Sequence, residues 1–287
     1  MKNTSLWPTK KNSSQRMTMS LGFALTLIIL RVNADPIDVN LGTANNFAVL
    51  AGSTITSTGA SVINGGNVGL SPGTAITGFP PATVTPPFTT FVADAVALQA
   101  QNDLFAAYNA AAGFAPNHTL TGQDLGGLTL TPGVYFFASS AQLTGVLTLN
   151  NEGNPDAVFI FQIGSTLTTA SDSSIITINA GSAAGVTPGI SVYWQIGSSA
   201  TLGTGTDFEG NILANASITA DTGATVDGRL LAKNGAVTLD DNTITVPRAE
   251  VIGGTSVPDS GSTLLLLGSS CAALCAFRRR LLSKIPD

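Results

Sequence analysis

Short alternations of apolar and hydroxyl-bearing residues run through most of this chain, and they predict strands. Ala51-Gly52-Ser53-Thr54-Ile55-Thr56 follows an apolar stretch, Leu41 to Leu50, that reads as a first strand. Alternation of this kind gives one buried and one exposed face. Asn64-Gly65-Gly66-Asn67 and Ser71-Pro72-Gly73 mark turns on either side of a short strand, Val68 to Leu70. The segment Thr77 to Pro87 is rich in proline and breaks the pattern. The period then changes. Phe91, Ala95, Leu98, Phe105 and Ala112 recur at helical spacing, which predicts one long helix over 89–112, with Pro86 and Pro87 before it and Gly113 as its stop. A lone helix among strands must bury its stripe against a sheet. Strand-like sequence resumes at Asp124 to Phe137, is interrupted by the polar stretch Asn150 to Asp156, and continues from Val158 to Thr245.

Repeats within that last stretch sharpen the picture. Phe161-Gln-Ile-Gly-Ser165 returns as Trp194-Gln-Ile-Gly-Ser198, 33 residues later. A four-residue pattern of Thr, then Gly or Ala, then any residue, then a small polar residue also recurs. It stands at Thr58-Gly59-Ala60-Ser61, Thr169-Ala170-Ser171-Asp172, Thr204-Gly205-Thr206-Asp207 and Thr222-Gly223-Ala224-Thr225. Repeats of this length in strand-like sequence predict a coiled parallel sheet, a β-solenoid, with the helix lying along its side.

Composition narrows the chemistry. Only 10% of the 287 residues are charged, against roughly 25% in an average soluble domain. Between Asp35 and Glu250 stand three cations (Arg229, Lys233, Arg248) and 15 acids, a formal charge of −12. Nucleic acid, which needs a basic face, is excluded as a partner. Both cysteines, Cys271 and Cys275, lie near the C-terminus, so disulfides and thiolate metal sites are excluded from the middle of the chain. His118 is the single histidine, which removes multi-histidine metal sites and leaves a Ser-His-Asp triad without support. Asp207 with Glu209 and Asp240 with Asp241 are the closest acid pairs. Two carboxylates can serve glycosidase chemistry, but the middle of the chain lacks a cluster of Lys and Arg to steady a developing negative charge, and Asp240-Asp241 could alternatively hold Ca²⁺. No enzyme activity and no cofactor or metal is expected.

The two ends read as addresses. Lys2, Lys10, Lys11 and Arg16 precede an apolar run, Leu21 to Leu30, and Val32-Asn33-Ala34 supplies small residues at cleavage spacing. Residues 1–34 are therefore expected to be a secretory signal. At the other end Val257-Pro258-Asp259-Ser260-Gly261 closes a linker and is followed by an uncharged stretch to Phe277, then Arg278-Arg279-Arg280. At about 1.5 Å per residue that stretch barely crosses a bilayer as a helix. The order of motif, short hydrophobic helix and arginine cluster resembles the bacterial PEP-CTERM-like sorting signals, specifically the VPDSG type. That resemblance implies an exosortase-type sorting enzyme as a partner, a transmembrane helix before processing, and delivery to the cell surface or matrix. A plain membrane anchor is the alternative.

Several segments between 41 and 246 also resemble one family in its own order: LGTANNFAVLAGSTIT, VGLSPGTAITGFPP, AAYNAAAG, LTLTPGVYFF, AVFIFQIGSTLTTAS, WQIGSSATLGTGT and RLLAKNGAVTLDDNTIT. They are similar to the bacterial and fungal ice-binding family. The resemblance implies a right-handed, irregular β-solenoid of triangular cross-section over residues 35–250, with N-terminal coils beside C-terminal ones. It also implies a flat face that binds ice and displays Thr-[Ala/Gly]-X-[Thr/Asn]. That pattern carries over at Thr222, Gly223 and Thr225; at Thr58, Gly59 and Ser61; and in its first half at Thr169 and Ala170 and at Thr204 and Gly205, with Thr206 added to the candidate face. Asp172 and Asp207 fill the last place in two copies. Carboxylates there, if they project from the middle of the face, count against strong ice binding. The partner expected is an ice crystal surface, met by a monomer. The alternative is a surface or matrix adhesin on the same fold that binds polysaccharide or other cells.

Overall fold

A computed structural model describes residues 39–181 and 191–247. The expected secretory signal and the C-terminal sorting segment lie outside the described residues. Among the described residues no helix is long and apolar enough to cross a membrane.

The chain winds into coils, each placing one short strand on each of three faces. All strand pairs are parallel, and among the described residues they form a 15-stranded and a 7-stranded sheet. The 33-residue repeat is one coil. Phe161 stands in register with Trp194, Gln162 with Gln195 and Ile163 with Ile196. Inward-facing aromatics stack along the core, with ring centroids 5.3 Å apart for Tyr135–Phe161 and 3.8 Å for Phe161–Trp194, and the exposed His118 caps the stack 4.8 Å from Tyr135. Gly164 and Gly197 follow the repeat because the coils close up at that corner. A Cβ on Gly197 would lie 2.5 Å from the Gly164 carbonyl oxygen.

Chain order and spatial order differ. Phe47–Ala51 inserts beside Thr225–Ala232, with Val49 opposite Leu230, so N-terminal coils stack on C-terminal ones. The strand Thr90–Val92 ends one edge of this face and His118–Thr119 the other. Nine strands at about 4.8 Å spacing put those edges about 38 Å apart. The chain covers that distance with helix α1 (Ala95–Gly113), 19 residues or about 28 Å long, plus short extended segments.

α1 starts later than the periodicity predicts, because Thr90–Val92 pairs with Asn67–Leu70 as a strand and Asp94 caps the helix, its carboxylate accepting from the Ala97 N–H at 2.8 Å. The buried stripe also differs from the expected one. Ala97, Ala100, Leu104, Ala107 and Ala111 face the sheet, whereas Leu98 and Phe105 are more than half exposed. Small alanines let the helix axis approach Leu50, Ile160, Leu213 and Leu231 closely. The larger Phe105 stays outside, where the Lys233 ammonium sits 4.4 Å from its ring centre. Strands under the helix are buried on both faces, as Phe159–Ile163 and Val192–Ile196 show. Gln162 explains its place in the repeat: its Nε2 donates to the carbonyls of Ala111 and Phe114, both at 2.8 Å, and so satisfies the helix C-terminus.

Trp194 is fully buried between Phe161 and Phe208, and its indole N–H donates to the Glu209 carbonyl at 3.1 Å. Trp194→Ala is expected to cost about 3–5 kcal/mol, read as a fall in the urea midpoint of unfolding.

Candidate functional site

The 7-stranded sheet packs its inner side on the core and leaves its outer side to solvent. Its strands are Ala141–Leu143, Leu167–Thr169, Ala200–Leu202, Ile218–Ala220, Val237–Asp240, Thr54–Thr58 and Ala75–Thr77, in spatial order. On each coil an apolar residue points inward: Leu167, Ala200, Ile218, Val237 and Ile55 are all buried. The next residue points outward, and in six successive coils it is threonine. Thr168, Thr201, Thr219, Thr238, Thr56 and Thr77 stand in unbroken register. The Thr56 hydroxyl lies 3.4 Å from that of Thr238. Parallel pairing repeats these side chains at about 4.8 Å, and β-branching fixes each methyl and hydroxyl on a stiff stem.

Two neighbouring ranks border this ladder. On one side are Ser140, Thr166, Ser199, Ser217, Ala236 and Thr54. Several of their hydroxyls are already engaged: Thr166 donates to Ser140 Oγ at 2.9 Å, and Ser217 Oγ accepts from the Ala236 N–H at 3.1 Å. On the other side, toward a corner, stand Ala170, Asp221, Asp240 and Thr58, with Asp240 opposite Thr58. The central rank is therefore uncharged, and carboxylates occur along one edge.

The four-residue repeats occupy that corner. Gly59, Gly205 and Gly223 adopt φ of +73°, +68° and +73°, the left-handed turn that passes the chain to the third face. Asp172 and Asp241 take the same conformation, at φ of +55° and +51°. This corrects the alignment of one repeat. Asp172, not Ala170, stands beside Gly205, so the 33-residue period holds and Ser171 is the counterpart of Thr204. Three of the expected face residues point inward. Ser61 and Thr206 are fully buried and Thr169 is 3% exposed. The Thr169 and Thr206 hydroxyls are 2.7 Å apart, Thr169 Oγ1 accepts from the Gly203 N–H at 2.9 Å, and Ser57 donates to Ser61 Oγ at 2.9 Å. These hydroxyls tie the corner together and cannot meet an outside surface. Thr58, Thr204, Thr222 and Thr225 are exposed. Thr222 donates to Asp240, and Thr225 to Asp207 Oδ1 at 2.7 Å. Thr225 begins a strand of the third face, in register with Asp207 and Thr243.

The six-threonine ladder was not among the residues singled out from the sequence. Its signal is an apolar residue followed by Thr, at Ile55-Thr56, Ile76-Thr77, Leu167-Thr168, Ala200-Thr201, Ile218-Thr219 and Val237-Thr238. Two residues are too few to separate this from ordinary exposed strand. Asp172 and Asp207 do not cross the ladder; the first turns the corner and the second lies on the third face. Among the described residues no group of three or more His, Cys, Asp or Glu is placed to hold a metal ion.

The sequence profile described as Ice-binding-like matches residues 49–245. The chain belongs to that family. A second profile, the VPDSG-CTERM motif, matches residues 256–281. An ice-binding protein of Nostoc sp. (strain HG1) is 57% identical over 247 residues, spanning 84% of this chain and 87% of that protein. One from Colwellia sp. is 36% identical over 75% of this chain and 86% of its own length. Among solved structures, an ice-binding protein from an Antarctic biological consortium superposes with a TM-score of 0.68 at 46% identity, covering 73% of this chain and 91% of that one. The ice-binding protein of Antarctomyces psychrotrophicus gives 0.68 at 42% identity, covering 73% and 98%. The family's β-solenoid fold is the one described above. No relative named here supports the adhesin reading.

Within this family member the third face is the chemically different one. Its outward ladder includes Val146, Ser174, Asp207, Thr225, Thr243 and Val62, and Glu209 stands opposite Asp227 on the next outward rank. Burial pushes the Glu209 carboxyl above its usual range, the Asp227 and Asp207 charges add to this, and the bond from Thr177 at 2.7 Å opposes it. Burial and Asp207 likewise raise Asp227. A carboxyl whose pKa is raised on folding holds its proton more tightly in the folded state. Its contribution to stability is complete below the unfolded pKa and is lost as pH rises through the folded one. Unfolding midpoints are therefore expected to increase as pH falls from neutrality into the raised carboxyl range, and Glu209→Gln is expected to raise the neutral-pH midpoint and flatten that rise. Urea titrations of both proteins across this range check it.

Proposed function

We propose that this protein adsorbs to ice through the ladder formed by Thr168, Thr201, Thr219, Thr238, Thr56 and Thr77. The observation that carries the reading is the unbroken register of six outward threonines on an uncharged central rank. Ice is a lattice of water with fixed spacings, so a surface that binds it must be flat, regular and rigid. Backbone pairing supplies a repeat of about 4.8 Å across coils and about 6.6–7 Å along a strand. Each threonine offers a hydroxyl that hydrogen-bonds water and a methyl that orders water around it without competing for it. Buried Leu, Ile, Val and Ala behind the ladder hold it level. A charged group would keep its own hydration shell and disturb that order, so Asp221 and Asp240 bound the contact on one side. A protein held on the ice front forces the crystal to grow between adsorbed molecules with a curved surface. That curvature opposes further growth and recrystallisation, and the process uses no catalytic group.

The corner residues fit this reading as a boundary. Thr58, Thr204 and Thr222 extend the surface, while Gly59, Gly205 and Gly223 let the chain turn without a protruding side chain. On the third face, Asp207, Glu209 and Asp227 make Thr225 a poor ice contact.

The double substitution Thr201→Tyr, Thr219→Tyr places two bulky rings on the flat face. It is expected to lower ice recrystallisation inhibition at least tenfold with the circular dichroism spectrum unchanged, whereas Thr225→Tyr retains it. Loss with Thr225→Tyr and retention in the double variant would move the contact to the third face.

The matched C-terminal motif supports a second element of function: secretion followed by cutting at Val257-Pro258-Asp259-Ser260-Gly261 by an exosortase-type enzyme, which delivers the domain to the cell surface or matrix. Replacing Pro258-Asp259 with Ala-Ala is expected to leave an uncut, membrane-associated form of higher mass, detected by fractionation and mass spectrometry.

A further inference from the structure

Arg229 is a buried cation with, among the described residues, no carboxylate beside it. Its side chain is 3% exposed. Nε and Nη2 donate to the Asn45 carbonyl at 3.2 and 3.0 Å, and Nη1 donates to Asn211 Oδ1 at 2.8 Å. A guanidinium carries five N–H groups, so two remain. Burial pulls its pKa down to about 10, the neighbouring Tyr193 phenol pushes the other way, and among the described residues no carboxylate acts on its charge. Isolated buried charge is costly unless an anion meets it.

The guanidinium lies at the wall of a cleft of about 780 Å³ between the first turn of α1 and the adjoining coils, lined in part by Phe47, Phe88, Val96, Val246 and Pro247. That volume is within the range of small-molecule sites, which combine apolar walls with one or two polar anchors. Thr43 stands in the same lining, and its hydroxyl and N–H donate to Asp103 Oδ2 at 2.6 and 2.7 Å. Those bonds hold the Asp103 carboxyl below its usual range. A negative charge next to Thr43 disfavours a dianion such as phosphate, and a single cation balances a single negative charge.

We propose that this cleft binds a carboxylate bearing a short apolar tail, with the carboxylate on the free N–H groups of Arg229 and the tail against Phe47, Val96 and Val246. The site is on the helix-covered side and is independent of the threonine ladder.

The test uses the full chain and hexanoate as probe, with 1-hexanol as the uncharged control. Binding is followed by NMR through the side-chain N–H resonances of Arg229. A charge-assisted hydrogen bond contributes about 1.5–3 kcal/mol, so hexanoate is expected to bind at least about tenfold more tightly than 1-hexanol and to shift the Arg229 resonances saturably. Arg229→Met is expected to abolish the preference. Because that change also removes bonds to Asn45 and Asn211, Val96→Trp serves as a second variant: it fills the cleft from an exposed helix position and is expected to abolish hexanoate binding with the fold intact. Absence of a saturable shift, equal binding of 1-hexanol, or full binding by Val96→Trp overturns the proposal.

Discussion

An extended strand cannot pair its own backbone N–H and C=O groups, so in this molecule they are met by the coils on either side. That requirement sets the spacing of everything else. Once pairing is parallel and in register, identical positions of successive coils stack, and whatever side chain the sequence places there becomes a line. Inside, the line from Tyr135 through Phe161 and Trp194 to Phe208 fills the core. Under the helix, the lines mix Ile160, Leu213 and Leu231 with Tyr193, Gln162 and Gln195. On the solvent-facing sheet the line is threonine.

Regular stacking creates a difficulty at the ends and in the connection between them. The chain builds one end of the solenoid first and must then cross to the other. Helix α1 makes that crossing, and its length matches the stack it spans. Its alanine face is the consequence of lying close on a sheet already dense with Phe47, Ile160 and Leu213. Short strands such as Thr83–Val84, set among prolines, end the other faces of the first-built end and limit further pairing there.

The three faces use one backbone geometry for different purposes. Helix contact buries the first on both sides. The second keeps charge to its edge and repeats one small side chain. The third accepts Asp207, Glu209 and Asp227 on neighbouring coils, where burial and the neighbouring charges raise the Glu209 and Asp227 carboxyls.

Local sequence determined the solenoid. Alternation, turn residues and the 33-residue return of Phe161-Gln-Ile-Gly-Ser165 each depend on neighbours in the chain, and so does the existence of one long helix. The family resemblance added the insertion of N-terminal coils among C-terminal ones. Which face of the helix is buried was decided by tertiary contact: Leu98 and Phe105 looked like core, yet the close approach of the sheet admitted only Ala97, Ala100, Leu104, Ala107 and Ala111. The candidate surface followed the same division. The Thr-Gly repeats were conspicuous because a left-handed corner demands glycine locally, and that made them visible while placing Ser61 and Thr206 inside. The ladder from Thr168 to Thr77 had no comparable local mark. Its members lie from 18 to more than a hundred residues apart in the chain, and only the register between coils brings them into line.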